Sequence, residues 1–221
     1  MKPLRVTATL ASDIANPLRP PVLDALLAYA ACLSEGRDPP DPTKPVPRVE
    51  IPLARSACGR VHLCSFAVAE VEQMVRGRFT NRRFPLAEAQ SMAGPKLTRI
   101  QLTGGPCKSF RIPIETAWLA GDTITWYCVG DADAVRALLA WITHLGKRRG
   151  VGLGRVGRWD VQAYDPAAEG WGEGFPVERD GRATRNLPLD WHGAQNAEQG
   201  FAVVTYPYWE REREELCLVP S

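Results

Sequence analysis

The residues best suited to chemistry lie in one short segment, Gly146–Arg155, which is both glycine-rich and basic. No acidic residue occurs from Trp141 to Trp159. Glycines let the backbone approach a bulky anion and expose amide N–H groups, and a run of phosphates is the natural partner of clustered cations. The pattern predicts an RNA-binding loop formed by Lys147, Arg148, Arg149, Gly150, Gly152, Gly154 and Arg155, with Arg158 nearby. The alternative is an exposed basic turn whose glycines end a helix.

The context of these glycines excludes two nucleotide-binding motifs. A Rossmann fingerprint follows a strand and opens a helix, whereas this segment follows a predicted helix and precedes a predicted strand. A P-loop needs Ser or Thr directly after its lysine, and Lys147 is followed by Arg148.

A second basic surface is predicted between Val71 and Arg111, where eight basic residues accompany only two acidic ones. Cations and aromatic residues alternate there, an arrangement suited to backbone contacts and base stacking on RNA. The candidate residues are Arg78, Phe79, Arg82, Arg83 and Phe84, extended by Lys108, Phe110 and Arg111. The alternative is a solvated loop whose phenylalanines dock on the core.

Catalysis has one candidate among the three histidines His62, His144 and His192. His144 lies nearest the basic loop, where it could act as general base on RNA while Lys147 stabilises the scissile phosphate. No Ser-His-Asp pattern and no acidic metal cluster is evident, and the spacing of Cys58, His62 and Cys64 does not match a zinc module. We therefore expect no catalysis, no metal and no cofactor.

Several elements are predicted to position these residues. Period-two alternation predicts a strand over Leu4–Leu10, and apolar spacing predicts helices from Val22 to Leu33 and from about Asp131 to Leu145. Asp131 is placed to cap the second helix. Further strands are predicted at residues 49–54, 60–68, 123–129 and 155–163, with short ones at 201–206 and 216–219, and residues 37–47 form a proline-rich linker.

Without the linkers and the basic insertion, the elements follow the order βαββαβ, which is ferredoxin-like and also that of RNA-recognition motifs. The prediction is an α+β protein with a body over residues 1–163, an insertion at about 69–120 and a C-terminal extension over 164–221. A free-standing RNA-recognition module is less favoured, because its candidate central strands lack an aromatic pair for stacking bases.

Charge is unevenly distributed along the 221 residues. The net charge is only +2, yet from Asp160 onward twelve acidic residues face five basic ones. The acidic segment Trp209–Glu215 could contact a basic neighbour. The six cysteines are scattered, no run is long enough to span a membrane, and residues 1–10 carry no cleavage site, so a cytoplasmic protein with free thiols is expected.

Several ordered motifs together resemble one protein family. The loop Gly146–Arg155, between a last helix and a last strand, resembles the glycine-rich loop of the RAMP superfamily of CRISPR proteins. More narrowly, the chain resembles the Cas-five-class subunit of type IV systems. The motifs are Val6–Ser12, Leu23–Tyr29, Phe79–Phe84, Gly105–Phe110, Ile142–Lys147, Tyr206–Trp209 and Leu216–Pro220.

The resemblance implies a non-catalytic subunit that binds the 5′ handle of the guide RNA (crRNA) and caps the backbone filament. It implies a ferredoxin-like body with an inserted β-hairpin thumb, which maps onto the basic insertion. The implied partners are the guide RNA, the repeated backbone subunit and the large subunit, with target DNA close by and no membrane. It also implies help in recognising the motif beside the target. The alternative is a guide-processing RNA endonuclease of the same superfamily.

Overall fold

The computed structural model describes residues 1–15, 22–37, 49–82, 103, 110–166, 176–178 and 180–220. Over these ranges the chain is a mixed α+β protein with mostly antiparallel sheets and two α-helices. The elements are β1 (Lys2–Leu10), β2 (Ile14–Ala15), α1 (Leu23–Ser34), β3 (Val71–Arg82), β4 (Phe110–Leu119), β5 (Thr123–Gly130), α2 (Ala132–Leu139), β6 (Val156–Ala163), β7 (Leu187–Pro188), β8 (Glu198–Ala202) and β9 (Glu215–Val219).

The central sheet has the strand order β5-β1-β6, and β1 runs antiparallel to both neighbours. The alternation predicted for β1 is confirmed, because Leu4, Val6, Ala8 and Leu10 are all buried. They pack with α1, α2 and the fully buried Trp126 of β5 in the main hydrophobic core.

The two strands predicted at residues 49–54 and 60–68 are wrong as continuous strands. Only isolated bridges form there. Arg55 pairs with His62 across the turn, and three bridges reach β5, joining Leu53 to Gly130, Cys64 to Cys128 and Val68 to Thr125. The chain thus runs beside the free edge of β5 without regular pairing. Pro52 offers no N–H to a ladder, and the backbone turns back between Ser56 and Gly59, where Gly59 donates to Ser56 at 2.8 Å.

Both helices begin within one residue of the prediction, but α2 ends earlier than predicted. The Asp131 side chain accepts hydrogen bonds from the N–H groups of Asp133 and Ala134, at 3.0 and 2.9 Å, and so caps α2. However, α2 ends at Leu139 rather than near Leu145. Residues 142–145 pair instead with the end of the basic loop and the start of β6: Leu145 donates to the Gly154 carbonyl at 2.7 Å, and Val156 donates to the Thr143 carbonyl at 2.9 Å.

The basic insertion forms a long antiparallel ribbon of β3 and β4, from Val71 opposite Leu119 to Arg82 opposite Phe110. Its base is joined to the body by β2, since Ile14 and Ala15 pair with Ala117 and Thr116 of β4. Residues 83–102 and 104–109 lie outside the described residues.

The C-terminal region forms a separate small sheet of order β7-β9-β8. β9 contains the strand predicted at 216–219, whereas the strand predicted at 201–206 is displaced, because β8 ends at Ala202. It has its own hydrophobic cluster, which includes Leu187, Val204 and Cys217, and Val61 of the body packs into this cluster. The antiparallel relations of β1, β5 and β6 are those a ferredoxin-like body requires of its first, third and fourth strands. The ferredoxin-like assignment itself stays a prediction, because its second strand is only a series of bridges.

Candidate nucleic-acid interface

The basic loop is a well-anchored turn between residues 144 and 155. Arg149–Val151 forms a short 3-10 helix, and His144 pairs with Arg155 across the base of the loop. The Ser12 hydroxyl donates to the Gly152 carbonyl at 3.0 Å and accepts from the Arg155 N–H at 2.9 Å. The loop is therefore held in one shape by the chain that follows β1.

Two of the glycines are required by packing inside the protein. A Cβ on Gly154 would lie 1.9 Å from the Leu145 carbonyl oxygen, and one on Gly146 would lie 2.9 Å from Ile14. Both have positive φ values, of +66° and +75°, which favour glycine. At these two positions the glycines are explained by packing alone, because atoms of the protein itself occupy the space that a side chain would need. No bound anion is needed to account for them.

The other two glycines face open space. No atom lies within 4 Å of a Cβ built on Gly150 or on Gly152, although Gly152 has a φ of +84°. Between Gly146 and Gly150, Arg148 is a non-glycine residue with a positive φ of +61°. Strain of this kind clusters at ligand sites, and this outer part of the loop leaves its backbone open to a ligand.

The loop cations are exposed and available. Lys147, Arg148, Arg149 and Arg155 are all exposed, and none makes an ion pair within the described part of the chain. The Arg149 guanidinium lies 5.4 Å from the centre of the Tyr29 ring of α1, close enough for a cation–π contact. The site thus offers several positive charges with an aromatic ring beside them.

The structure joins the basic loop to the base of the ribbon. The backbone of Lys147 bridges to Ala15 of β2, the strand that also pairs with β4 of the ribbon. Leu153 of the loop is buried in a small cluster with Ala15 and Ile114. Burial of such a leucine contributes about 1.5–3 kcal/mol. The loop and the base of the ribbon are therefore packed against each other through β2.

The ribbon itself carries one described pair that suits RNA. The Arg111 guanidinium lies 3.6 Å from the centre of the Phe79 ring, and Phe79 is 43% exposed. The alternative that Phe79 docks on the core is thus wrong. Arg78 and Arg82 lie in β3 but their side chains are not described, and Arg83, Phe84 and Lys108 lie outside the described residues.

The histidines are spread across the described structure. His144 is half-buried, and its Nδ1 lies 3.0 Å from the Thr143 hydroxyl. His62 is buried with its Nδ1 3.6 Å from the Asp24 carboxylate, and His192 is exposed. No group of three or more His, Cys, Asp or Glu side chains among the described residues is arranged to hold a metal ion.

A buried charge network, which sequence reasoning missed, joins the C-terminal region to the body. Arg185 and Asp24 are completely buried and lie 3.1 Å apart. Arg185 also donates to the carbonyls of His62 and Val204, at 2.9 and 3.1 Å, and the Tyr208 hydroxyl donates to Asp24 at 2.7 Å. The only sequence signal was an aspartate inside an otherwise apolar helix.

The network strongly shifts the pKa values of its members. Burial alone would raise the pKa of Asp24, but the charge of Arg185, the nearby His62 ring and the hydrogen bond from Tyr208 outweigh it and lower this pKa to about 2. Burial raises the pKa of Cys64, which lies against Arg185, to about 12. The pair is therefore ionised, and the thiol neutral, at physiological pH.

Comparison with known proteins decides the family. The family model described as CRISPR type IV associated protein Csf3 matches residues 65–220, well over half of the 221 residues. The chain belongs to the Csf3 family. It is thus a type IV CRISPR-associated subunit, as the sequence motifs predicted. No curated protein matches the chain.

The matched Csf3 region begins within the segment that runs beside β5. It contains the ribbon, the basic loop and the whole C-terminal sheet. It therefore includes Arg185 and Tyr208, but not Asp24. Among the described residues of this Csf3 chain, no helix is long and apolar enough to cross a membrane.

Proposed function

We propose that this Csf3-family subunit is a non-catalytic RNA-binding protein that holds the 5′ handle of the guide RNA. The basic loop and the ribbon would form one binding surface for it. The single observation that supports the proposal is the connection of Lys147 to β4 through β2, which joins the basic loop to the base of the ribbon.

Electrostatics favour a nucleic-acid backbone as the ligand of this surface. Four exposed loop cations have no acidic partner within the described residues, and no acid lies between Trp141 and Trp159. Each cation that neutralises a phosphate releases counterions, which drives binding at low salt. The open backbone around Gly150 and Gly152 would let phosphates approach the loop closely.

Aromatic groups beside these cations favour single-stranded RNA over a duplex. Tyr29 lies beside Arg149 and Phe79 beside Arg111. Unpaired bases stack on aromatic rings and guanidinium planes, and this stacking contributes about 1–3 kcal/mol per base. A splayed, unpaired RNA handle would use both kinds of contact.

The finer assignments rest on the resemblance of the sequence motifs. We assign the chain to the Cas-five class of the RAMP superfamily, with a ferredoxin-like body whose second strand is irregular and with the ribbon as its thumb. It would cap the backbone filament, contact the large subunit and lie near the target DNA, where it would help recognise the motif beside the target. The order β5-β1-β6 and the inserted ribbon support this assignment.

The decisive experiment reverses two loop charges. We expect Arg148→Glu with Arg149→Glu to weaken binding of a labelled repeat-derived 5′ handle RNA at least 100-fold at low salt, measured by fluorescence anisotropy. The dependence of log Kd on log salt should also become shallower by about 1.4, since each lost single-strand phosphate contact removes roughly 0.7.

The matched control carries the same change of charge elsewhere. Lys2→Glu with Arg182→Glu alters two exposed residues outside the loop and the ribbon. Equal loss of affinity in both double variants would mean that net charge, not the loop, controls binding. Unchanged binding by the loop variant would refute the assignment of the loop.

A cleavage assay distinguishes the endonuclease alternative. His144 is the candidate general base because it pairs with Arg155 at the base of the basic loop. The purified protein should leave labelled repeat RNA intact, with and without a chelator. Metal-independent cleavage that His144→Ala abolishes would replace the non-catalytic proposal with guide processing.

A further inference from the structure

The C-terminal sheet leaves two large apolar side chains in water at one end. Phe201 of β8 and Leu216 of β9 lie directly opposite each other in the ladder, and they are 75% and 42% exposed. Leu189, 44% exposed, leaves β7 toward the same end of the sheet. Single exposed apolar residues are ordinary, but neighbouring ones form a patch of the kind that marks interaction sites.

The exposed apolar patch continues into the buried hydrophobic cluster of the C-terminal region. One pair along from Phe201 and Leu216 on the same face, Leu218 is buried and lies opposite both Gln199 and Leu187. An apolar face that is covered at one end and open at the other leaves room for one more packing element. That element would extend the hydrophobic cluster of the C-terminal region.

The edge of this sheet is also open to pairing. β8 is the last strand in the order β7-β9-β8, so one side of its backbone has no neighbouring strand among the described residues. Natural edges are commonly protected by charged residues, especially lysine, and by proline. Glu198–Ala202 contains no lysine or proline, and its one charged residue, Glu198, lies at its first position, away from Phe201. The strand can accept an added strand from another chain.

The charges around the patch specify the partner. From Leu189 to Leu216 there are six acidic residues and two arginines. Asp190, Glu198, Glu212 and Glu214 are exposed and make no ion pair within the described part of the chain. A surface of this sign repels RNA and attracts a basic segment.

We propose that this end of the C-terminal sheet binds a protein segment that is apolar at its centre and flanked by Lys and Arg. The segment adds as a strand to β8 and places its apolar side chains against Phe201, beside Leu216. It belongs to another protein subunit of the same type IV complex. The surface is separate from the basic loop, so the binding of this partner and of RNA can be tested independently.

The test uses the complex assembled from this chain, its guide RNA and the other proteins encoded with it. A photo-crosslinking amino acid replaces Phe201, and mass spectrometry identifies the attached peptide. We expect one protein partner, attached through a peptide with a net positive charge. A crosslink to RNA, to a second copy of this chain or to an acidic peptide would overturn the proposal.

A substitution provides the second measurement. Phe201→Asp with Leu216→Asp should lower the amount of that partner in the purified complex at least tenfold, while the affinity of the free subunit for handle RNA stays unchanged. Val68→Asp, at a residue 51% exposed on the body, is the control and should leave the partner in place. An undiminished partner in the double variant would refute the docking surface, even if the loop variant above had already lost its RNA.

Where the double variant melts at a lower temperature than the wild-type chain, Phe201→Ser alone replaces it. This change at a side chain that is 75% exposed removes the ring with little effect on the fold. Partner loss with Phe201→Ser supports the proposal, and full retention contradicts it.

Discussion

The buried ion pair of Arg185 and Asp24 leads to a prediction about stability that does not depend on the proposed function. Both side chains are completely buried, and Arg185 hydrogen-bonds to the body at His62 and to the C-terminal region at Val204. Arg185→Met keeps much of the side-chain volume but leaves the Asp24 carboxylate buried without its cation. The expected consequence is a weakened connection between the C-terminal region and α1.

The magnitude follows from the loss of one partner of a buried ion pair. Removing a single partner costs about 3–5 kcal/mol, because the remaining charge is left uncompensated. A whole domain is stable by only about 5–15 kcal/mol. At roughly 2–4 °C per kcal/mol for a chain of this size, Arg185→Met should lower Tm by about 6–20 °C.

The pH dependence gives this prediction its sign. The folded pKa of Asp24 is lowered from 3.8 to about 2, so the ionised group stabilises the native state above pH 4. That contribution, about 2–3 kcal/mol, is lost as pH falls through the folded pKa. In Arg185→Met, burial dominates and raises the pKa of Asp24 above 3.8. The variant then binds a proton on acidification, and its deficit relative to the wild-type chain shrinks.

The measurement is urea unfolding followed by tryptophan fluorescence at pH 7 and at pH 4, for both chains. The difference in the free energy of unfolding should be about 3–5 kcal/mol at pH 7 and clearly smaller at pH 4. Arg182→Met is the matched control, because Arg182 pairs with Asp180 at an exposed site and should cost at most about 1 kcal/mol. A deficit below 1 kcal/mol at pH 7, or one that grows on acidification, would refute the reasoning.

Two further predictions concern the loop and the cysteines. Gly154→Ala should lower Tm and abolish binding of handle RNA, because its Cβ would overlap the Leu145 carbonyl oxygen, whereas Gly150→Ala should leave Tm unchanged; equal effects of the two changes on Tm would disprove the packing argument. Cys58 is exposed, and its hydrogen bond with Ser56 lowers the pKa of its thiol. Among the described cysteines it should therefore react first with iodoacetamide, as peptide mapping at pH 7 would show, and Cys58→Ser should remove that fast reaction.

The parts of the fold that were predictable are those where a local pattern and tertiary packing agree. β1 alternates apolar and polar residues and is buried on one face. For α1, the apolar sequence predicts a buried helix, and the structure begins and ends it within one residue of the prediction. Asp131 caps α2 because the cap needs only residues two and three positions away.

The helix boundary that was predicted wrongly, the end of α2, lies where distant residues take the backbone hydrogen bonds that a longer helix would make. The periodicity of residues 135–142 favours a longer helix, yet residues 142–145 leave the helix for distant partners. Leu145 pairs with Gly154, and the Ile142 carbonyl accepts the Trp159 indole N–H at 2.9 Å. A local sequence pattern carries no information on such pairings, because the partners lie farther along the chain, in the basic loop and in β6.

The candidate loop was predictable from composition, but the roles of its glycines were not. Spacing alone makes Gly150 and Gly154 equivalent, whereas the structure separates an outward-facing position from one in contact with backbone. The pairing of Arg185 with Asp24 was equally hidden, because 161 positions separate the two residues. Only the folded C-terminal region brings them together.

The distribution of charge would let one small subunit bind both proposed ligands, RNA and a protein segment, on separate surfaces. The loop cations lie where no acid competes for phosphate, and the acids of the C-terminal sheet lie beside exposed apolar groups. The acidic sheet would repel the guide RNA, and the basic loop would repel a partner segment rich in Lys and Arg. The near-zero net charge is therefore the sum of two opposed surfaces. Raising salt should release the RNA before the protein partner, because apolar burial at Phe201 and Leu216 is not screened.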